Sequence, residues 1–485
     1  MLIFKHLRPQ DVGINPTPAE YEICPVSPDN TRALFTDCGD FTERWVSAGG
    51  TGVPVFLCWL DGTVSGEDVA STVIRPLSDP KRFGHVKNSA DVAAALDGGL
   101  VYGCDMRAMY SLRELSQAIA YGCCAAVLEG VAFVFQLKTS QHRSVQEPTV
   151  EKTVKGSKDA FIETLRVNTA LLRSRLRTPQ LKLRQLSVGQ NIRTDTAVMW
   201  LEDRASPEIP ARVEAILGQI GTEGPLRPDD LDSAFSACPG SPFPQLLHTE
   251  RPDRLAAYLA AGKVCVLAEG IPVAFVMPAC LRDFMTTGED AAQHCIPASF
   301  LRLLRWSAMG ISLFLPALYV AMASYHPEMV PTELLLSVIH SKQSVPFSTT
   351  AEILGMLLSF ELLQEAGLRL PDPVGQTVSI IGALIVGQSA VEAKVISPIA
   401  VIVVALAGIA GYTSPSQDLS MALRLCRLLL VILAAVSGLF GTAAGGLVLL
   451  WHLCSLEFCG RSYVADPDAE PLLLKPAGHG GEEGP

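Results

Sequence analysis

Four charged residues, Glu250, Arg251, Asp253 and Arg254, are interrupted only by Pro252 and follow soon after the proline-stiffened run Ser241-Pro-Phe-Pro-Gln245. Carboxylates and guanidinium groups at this spacing pair readily and fix register. Two uses are open to them: an ion-pair network joining domains, or a subunit contact that transmits gating. A second set is Glu328 and Glu333, set beside Pro327 and Pro331. A ring of either glutamate from several subunits would attract cations at a pore mouth, whereas interfacial glutamates in water have no such role. Thr332 is placed to cap a helix running into Leu334, with Pro331 breaking the chain before it. The third set, Gln376, Ser379, Gly382 and Gln388, consists of polar or small residues in an apolar stretch. A glutamine there bonds a neighbouring helix or, less often, lines an ion path.

Enzyme chemistry has no foothold. The chain has no P-loop, no G-x-S-x-G, no H-E-x-x-H and no dinucleotide fingerprint, so no catalytic residue and no cofactor is expected. His248, His326 and His452 are scattered without ligand spacing, and no metal is expected. The thirteen cysteines follow no metal or disulfide pattern and read as reduced, apolar residues. With 49 acidic residues against 38 basic, the net charge of −11 argues against a nucleic-acid partner.

The elements that must position these residues fall into two halves. Only 18% of the 485 residues are charged, and those charges thin out beyond about residue 299. Before that point strands and helices alternate. Val53-Pro-Val-Phe-Leu-Cys-Trp-Leu60 reads as a buried strand closed by Asp61-Gly62. Ser111 to Ala120 has helical spacing with a serine cap. Gly122 to Gln136 reads as strand, Glu129-Gly130 turn and strand, and Lys263 to Pro278 repeats this around Glu269-Gly270. Thr196 to Leu201 is a further strand. Asp159 to Arg177 reads as an amphipathic helix with Phe161, Leu165, Thr169 and Leu172 on one face. Arg166, Arg173 and Arg177 lie on another, which reads as a solvated surface or, failing that, a membrane or partner contact. The two Glu-Gly hairpins hint at two related α/β subdomains.

Beyond Ser299 the uncharged runs Trp306–Tyr325, Val374–Val391, Val395–Gln417 and Leu428–Leu456 read as four membrane spans. A fifth segment, Phe347 to Ala366, carries Glu352, Glu361 and Glu365, which must face a protein interior or a wet cavity if the segment is a span. Arg302 and Arg305 put the start of the first span in the cytoplasm, and Arg424 and Arg427 favour five spans over four. The start of the chain offers no apolar stretch long enough for a signal peptide, so the N-terminal half is expected on the cytoplasmic side. Gly438, Gly441, Gly445 and Gly446, like Gly375, Ser379 and Gly382, make small-residue faces of the kind that pack helices. The expected fold is an α/β N-terminal soluble region of two subdomains plus an all-α transmembrane helical bundle. Its expected divisions are 1–140, 141–298, a membrane domain of four or five helices at 299–458, and a tail at 459–485.

Ser241-Pro-Phe-Pro-Gln245-Leu-Leu-His-Thr-Glu250-Arg-Pro-Asp253-Arg254 resembles the SPFPQ…TERPD signature of the GerA family of spore germination proteins. His326-Pro-Glu-Met-Val-Pro-Thr-Glu333, Gly367 to Gly382, Gly387-Gln-Ser-Ala-Val-Glu392-Ala393 and Ser397-Pro398 continue the likeness. So do Glu147-Pro148, Glu151, Lys155-Gly156 and Phe161 to Asn168. The resemblance covers about residues 140 to 465. It implies the A subunit of a nutrient germinant receptor, multi-pass in the inner membrane of a dormant spore, with a cytosolic N-terminal region. It further implies a transporter-like B subunit and a lipoprotein C subunit as partners, and assembly of A subunits into a nutrient-gated cation channel. A sporulation-stage accessory member of the family and a non-conducting membrane scaffold are the alternatives. A secondary transporter would need inverted repeats with paired broken helices, which the sequence does not display.

Overall fold

The computed structural model describes residues 24–83, 85–99, 101, 103–138, 148, 151, 156–368 and 387–464. These fold as two compact units. One takes in the chain up to Ser236 together with Leu246–Pro278; the other comprises Ala237–Gln245 and the chain from Ala279 onward.

The first unit holds two five-stranded antiparallel sheets. One is built from β1 (Phe41–Ser47), β2 (Pro54–Leu60), β3 (Met106–Met109), β4 (Cys124–Leu128) and β5 (Val131–Phe135) in the order β1-β2-β4-β5-β3. The other uses β6 (Leu181–Val188), β7 (Thr194–Leu201), β8 (Leu247–Thr249), β9 (Val264–Ala268) and β10 (Ile271–Met277) in the order β6-β7-β9-β10-β8. The two orders are the same topology, and in each the edge strand leads through a helix into the last hairpin: α1 (Leu112–Ala120) in one, α3 (Pro252–Ala260) in the other. The repeat hinted at by the Glu-Gly pairs is therefore a repeat of the whole fold. Both turns need their glycine, since Gly130 and Gly270 have φ of 85° and 80°, a region that side chains with a Cβ avoid.

The continuous apolar run of β2 is sorted by the pleat. Val55, Leu57 and Trp59 enter one core cluster, and Phe56, Cys58 and Leu60 enter a second on the other face. A strand covered on both faces loses the alternation of a half-exposed one, which is why it reads as uninterrupted hydrophobicity.

Three local expectations are corrected. The helix expected over 159–177 is α2, Leu165–Arg175 only. The residues before it are tied down by tertiary bonds: Asn168 Oδ1 accepts from Ile162 N (2.9 Å) and its Nδ2 donates to Ile162 O (2.6 Å). Glu269, from the second Glu-Gly turn, then accepts the Leu165 N–H at 2.6 Å and so caps α2. Of the basic residues, Arg166 and Arg177 are exposed, as a solvated surface requires, but Arg173 is not. Arg173 is fully buried and pairs bidentately with Asp40, at 2.8 Å for both bonds, and donates to Leu181 O at 2.7 Å. Burial alone would lower the basicity of this guanidinium, but Asp40 and Cys38 hold its pKa above the ordinary value. Arg166 reaches Asp61 and Arg177 lies over the Tyr121 ring, so all three arginines meet the first α/β repeat. Ser111 occupies the N-cap of α1 but makes no capping bond.

The second unit is helical: α4 (Cys295–Tyr325), α5 (Thr332–Lys342), α6 (Thr349–Leu368), α7 (Pro398–Gly411) and α8 (Gln417–Ser455), closed by a small hairpin of β11 (Glu457–Phe458) and β12 (Arg461–Ser462). Among the described residues α4 and α8 are long and apolar enough to cross a membrane. The expected span Val395–Gln417 is instead the 14-residue α7, about 21 Å long against a hydrocarbon core of about 30 Å. Its Ala400, Val404, Ala407 and Ala410 face inward, and Ile402, Leu406 and Ile409 are exposed. From Thr349 onward the Phe347–Ala366 segment lies in one helix, α6, in which Glu352 is buried. Most of the expected span Val374–Val391 lies outside the described residues. Pro331, not Thr332, takes the N-cap of α5, which leaves Thr332 in the first turn without a capping role.

The longest helix doubles back. Gly438 has φ 62° and ψ −137° inside α8. A Cβ on Gly441 would stand 2.2 Å from the Leu433 carbonyl oxygen, and one on Gly445 2.6 Å from the Leu430 side chain. A straight helix would hold these pairs about 12 and about 22 Å apart. The limbs 417–437 and 439–455 are thus packed face to face, and the small-residue stripe lets α8 pack on itself. The break frees backbone carbonyls, and the Tyr325 hydroxyl at the end of α4 donates to Ala435 O at 2.6 Å. Gly438→Ala would place a Cβ in a region that is essentially glycine-only and 3.0 Å from the Tyr325 ring. The expected cost is about 1–3 kcal/mol, seen in hydrogen exchange as lost protection over 430–445; unchanged protection there would refute the hairpin.

Candidate functional site

The signature charges at residues 250–254 are spent inside the first unit. Arg251, 3% exposed, bonds Asp253 at 2.6 and 3.1 Å. Arg254 pairs with Glu151 and donates to the Tyr258 hydroxyl at 2.9 Å. Burial pulls its basicity down, but Tyr258 and Glu151 together raise its pKa above the ordinary value. Thr249 donates to the other oxygen of Glu151 at 2.7 Å, and the Glu250 carbonyl accepts from Phe161 N at 2.8 Å. Pro252 opens α3 at its first turn, where a missing N–H costs nothing. The cluster therefore joins the segment around Glu151 and Phe161 to α3.

The Ser241-Pro-Phe-Pro-Gln245 loop belongs elsewhere. In sequence it lies between segments of the first unit, yet it folds with the helical unit. The Gln245 amide closes it, accepting from Cys238 N at 3.2 Å and donating to Cys238 O at 2.8 Å. Ser241 Oγ lies 2.7 Å from His452 Nε2, near the end of the second limb of α8, and the buried Phe243 ring stands 6.2 Å from the same imidazole. One signature is thus split in function: its 241–245 part holds the last helix, and its 250–254 part knits the α/β unit.

Glu328 is exposed, with His326 Nδ1 at 3.4 Å, and Glu333 is exposed in the first turn of α5. Gln388 is exposed in the helical turn 387–392. Gln376, Ser379 and Gly382 lie outside the described residues. The structure brings none of the described three into a common site.

Sequence reading missed the polar centre of the helical unit. Glu361 of α6 meets Arg427 at 2.7 Å and Arg424 at 3.4 Å, both from the first limb of α8. Ser312, Gln364, Tyr412 and Ser420 line the same small cavity as the two arginines. These arginines read as orientation markers because a topology rule treats flanking cations as solvated. Arg302 and Arg305 are likewise not free ends of a span. They converge on Asp290, which is 1% exposed and accepts from Arg305 at 2.7 and 2.8 Å and from Arg302 at 3.3 Å. The available signal was an acid count: a carboxylate in an apolar helix demands a cation near it. Among the described residues no group of three or more His, Cys, Asp or Glu is placed to hold a metal.

The described residues thus combine a tandem α/β unit with a helical unit that has a buried ionic centre and two helices long and apolar enough to cross a membrane. The chain belongs to the GerA family, described as Bacillus/Clostridium GerA spore germination protein, whose pattern it matches over residues 29–468. It is 33% identical over 450 residues to Uncharacterized membrane protein YfkQ of Bacillus subtilis, covering 91% of this chain and 86% of that protein. It is 33% identical to Spore germination protein B1 of the same organism (86% and 85% covered) and 34% identical to Spore germination protein A1 (74% and 75%). Among solved structures it is similar to the N-terminal domain of the A subunit of the Bacillus megaterium spore germinant receptor GerK3. That match has a TM-score of 0.41 at 17% identity and covers 53% of this chain and 96% of that domain.

Proposed function

We propose that this chain is an A-type subunit of a spore nutrient germinant receptor, and that copies of it assemble into a nutrient-gated cation channel in the spore inner membrane. In this reading the α/β unit is cytoplasmic, and a transporter-like B subunit and a lipoprotein C subunit are its partners in the lipid bilayer. Family membership supports the receptor role. The observation that carries the gating role is the 237–245 loop, continuous in sequence with the α/β unit and bonded to His452 at the end of α8. A movement of the elements that flank the loop, the helix Pro228–Phe235 and β8, reaches a membrane helix without any further contact. Glu328 and Glu333, both exposed, serve as the acidic pore mouth. Gln388 is the described member of the remaining pore candidates, with Gln376, Ser379 and Gly382 outside the described residues. Because Arg251 and Arg254 are satisfied internally, the 250–254 charges act as the rigid mount of this lever.

The test is nutrient-triggered monovalent-cation release from spores with the gene deleted and restored. Release should vanish on deletion, return with the native gene, and return only weakly with His452→Ala at equal protein level. Unchanged release on deletion for every nutrient would favour an accessory family member.

A further inference from the structure

Beyond the Glu361 centre, the helical unit buries a second carboxylate whose partners are incomplete. Glu352 of α6 has a fully buried side chain. Its Oε2 accepts the backbone N–H of Ser397, the N-cap of α7, at 2.9 Å. Its Oε1 makes no hydrogen bond although no solvent reaches it. Tyr319 of α4, 8% exposed, faces Ser397 and Glu352, and its hydroxyl makes no hydrogen bond of acceptable geometry. Two buried oxygens left without a hydrogen bond in an apolar interior are costly, and both can donate lone pairs to a cation. Among the described residues the cation paired with Glu352 is the Lys342 ammonium at the end of α5. It stands 3.8 Å from Glu352 Oε1, too far to hydrogen-bond, and donates instead to the Thr349 hydroxyl.

We propose that Glu352, Tyr319 and Ser397 form a binding site for a small monovalent cation, with the Lys342 ammonium as its tethered competitor. The charge count selects the valence. One carboxylate balances one positive charge, and a divalent ion would leave an uncompensated charge in the helical interior. The oxygens are of the hard type that sodium or potassium prefers to nitrogen or sulfur ligands. The α7 amide holds one Glu352 oxygen in place and offsets part of its charge, so the ion is exchangeable. Occupancy displaces Lys342 and with it the tie between α5 and α6. The site is argued from the helical unit alone and does not rest on the channel reading.

The experiment is thermal unfolding of the full chain in detergent at constant ionic strength, with sodium or potassium replacing N-methylglucamine. The midpoint should rise with alkali cation and saturate. Lys342→Met should lower the half-saturating concentration by about tenfold, even as it lowers stability without the ion. Tyr319→Phe should raise that concentration, and Glu352→Gln should abolish the dependence. A midpoint indifferent to alkali cation, a folded Glu352→Gln protein that keeps the full response, or a Lys342→Met protein with unchanged half-saturation would each overturn the proposal. Should Glu352→Gln not fold, Lys342→Met and Tyr319→Phe decide. Comparing the sodium and potassium arms identifies the ion. Because the assay reads binding, its failure leaves the cation-release test standing.

Discussion

Asp40→Ala is expected to destabilise the α/β unit by about 3–5 kcal/mol, among the largest effects available in this chain. The substitution removes few contacts of its own, but it leaves the fully buried guanidinium of Arg173 with no carboxylate, only the Leu181 carbonyl at 2.7 Å and the Cys38 thiol. The damage should spread, because residues near Asp40 also bind the second repeat. Gly39 N donates to Leu183 O at 2.7 Å, and Lys182 Nζ donates to Thr36 O at 2.9 Å. Urea unfolding of the full chain in detergent, with exchange protection followed in α2 and β6, checks the effect. Asp40→Leu combined with Arg173→Met should recover much of the loss, since replacing both partners leaves no bare charge. A loss below about 1 kcal/mol for Asp40→Ala, in the range of a surface pair, would mean that Arg173 is hydrated.

Asp290→Asn is expected to be comparably damaging in the helical unit, again about 3–5 kcal/mol. One carboxylate accepts from two arginines, and it also accepts from the Thr287 N–H at 3.1 Å and hydroxyl at 3.0 Å. Asparagine can replace one acceptor oxygen but not the charge, which would leave Arg302, 4% exposed, and Arg305 facing each other. Burial raises the Asp290 pKa, but the Arg305 and Thr287 hydrogen bonds outweigh it and hold the carboxyl below the usual range. A depressed folded value means that the unfolded chain takes up the proton first as pH falls. The stabilisation is therefore full above the unfolded carboxyl value of about 3.9 and is lost as pH falls through the lower folded value. Native protein should show an acid-unfolding step below pH about 4 that the Asp290→Asn protein lacks. An identical acid profile for the two proteins would remove Asp290 from this role.

Much of the architecture was legible because its signals are local. The Val53–Leu60 run, the Glu-Gly pairs at 129–130 and 269–270 and the helical spacing of 112–120 each depend on a few adjacent residues, and each element formed. The repeat was legible as two similar hairpins, although the identical strand order appeared only once distant strands were paired. The site was less legible. Arg173, Arg302, Arg305, Arg424 and Arg427 all read as surface or flanking charges, and all five are paired with carboxylates far away in sequence or across a loop. Periodicity reports which face of a helix a residue takes; it is silent on what covers that face.

Linear order thus determined the family, the two-part layout and the type of most elements, because motif order, apolar run length and turn glycines are properties of neighbouring residues. Tertiary structure alone decided where α2 starts, that α8 turns back at Gly438, that the 241–245 loop leaves its neighbours to hold His452, and which acid neutralises which arginine. In a low-dielectric interior every buried charge and every freed backbone group must find its complement, and that complement comes from whichever residue the fold brings near.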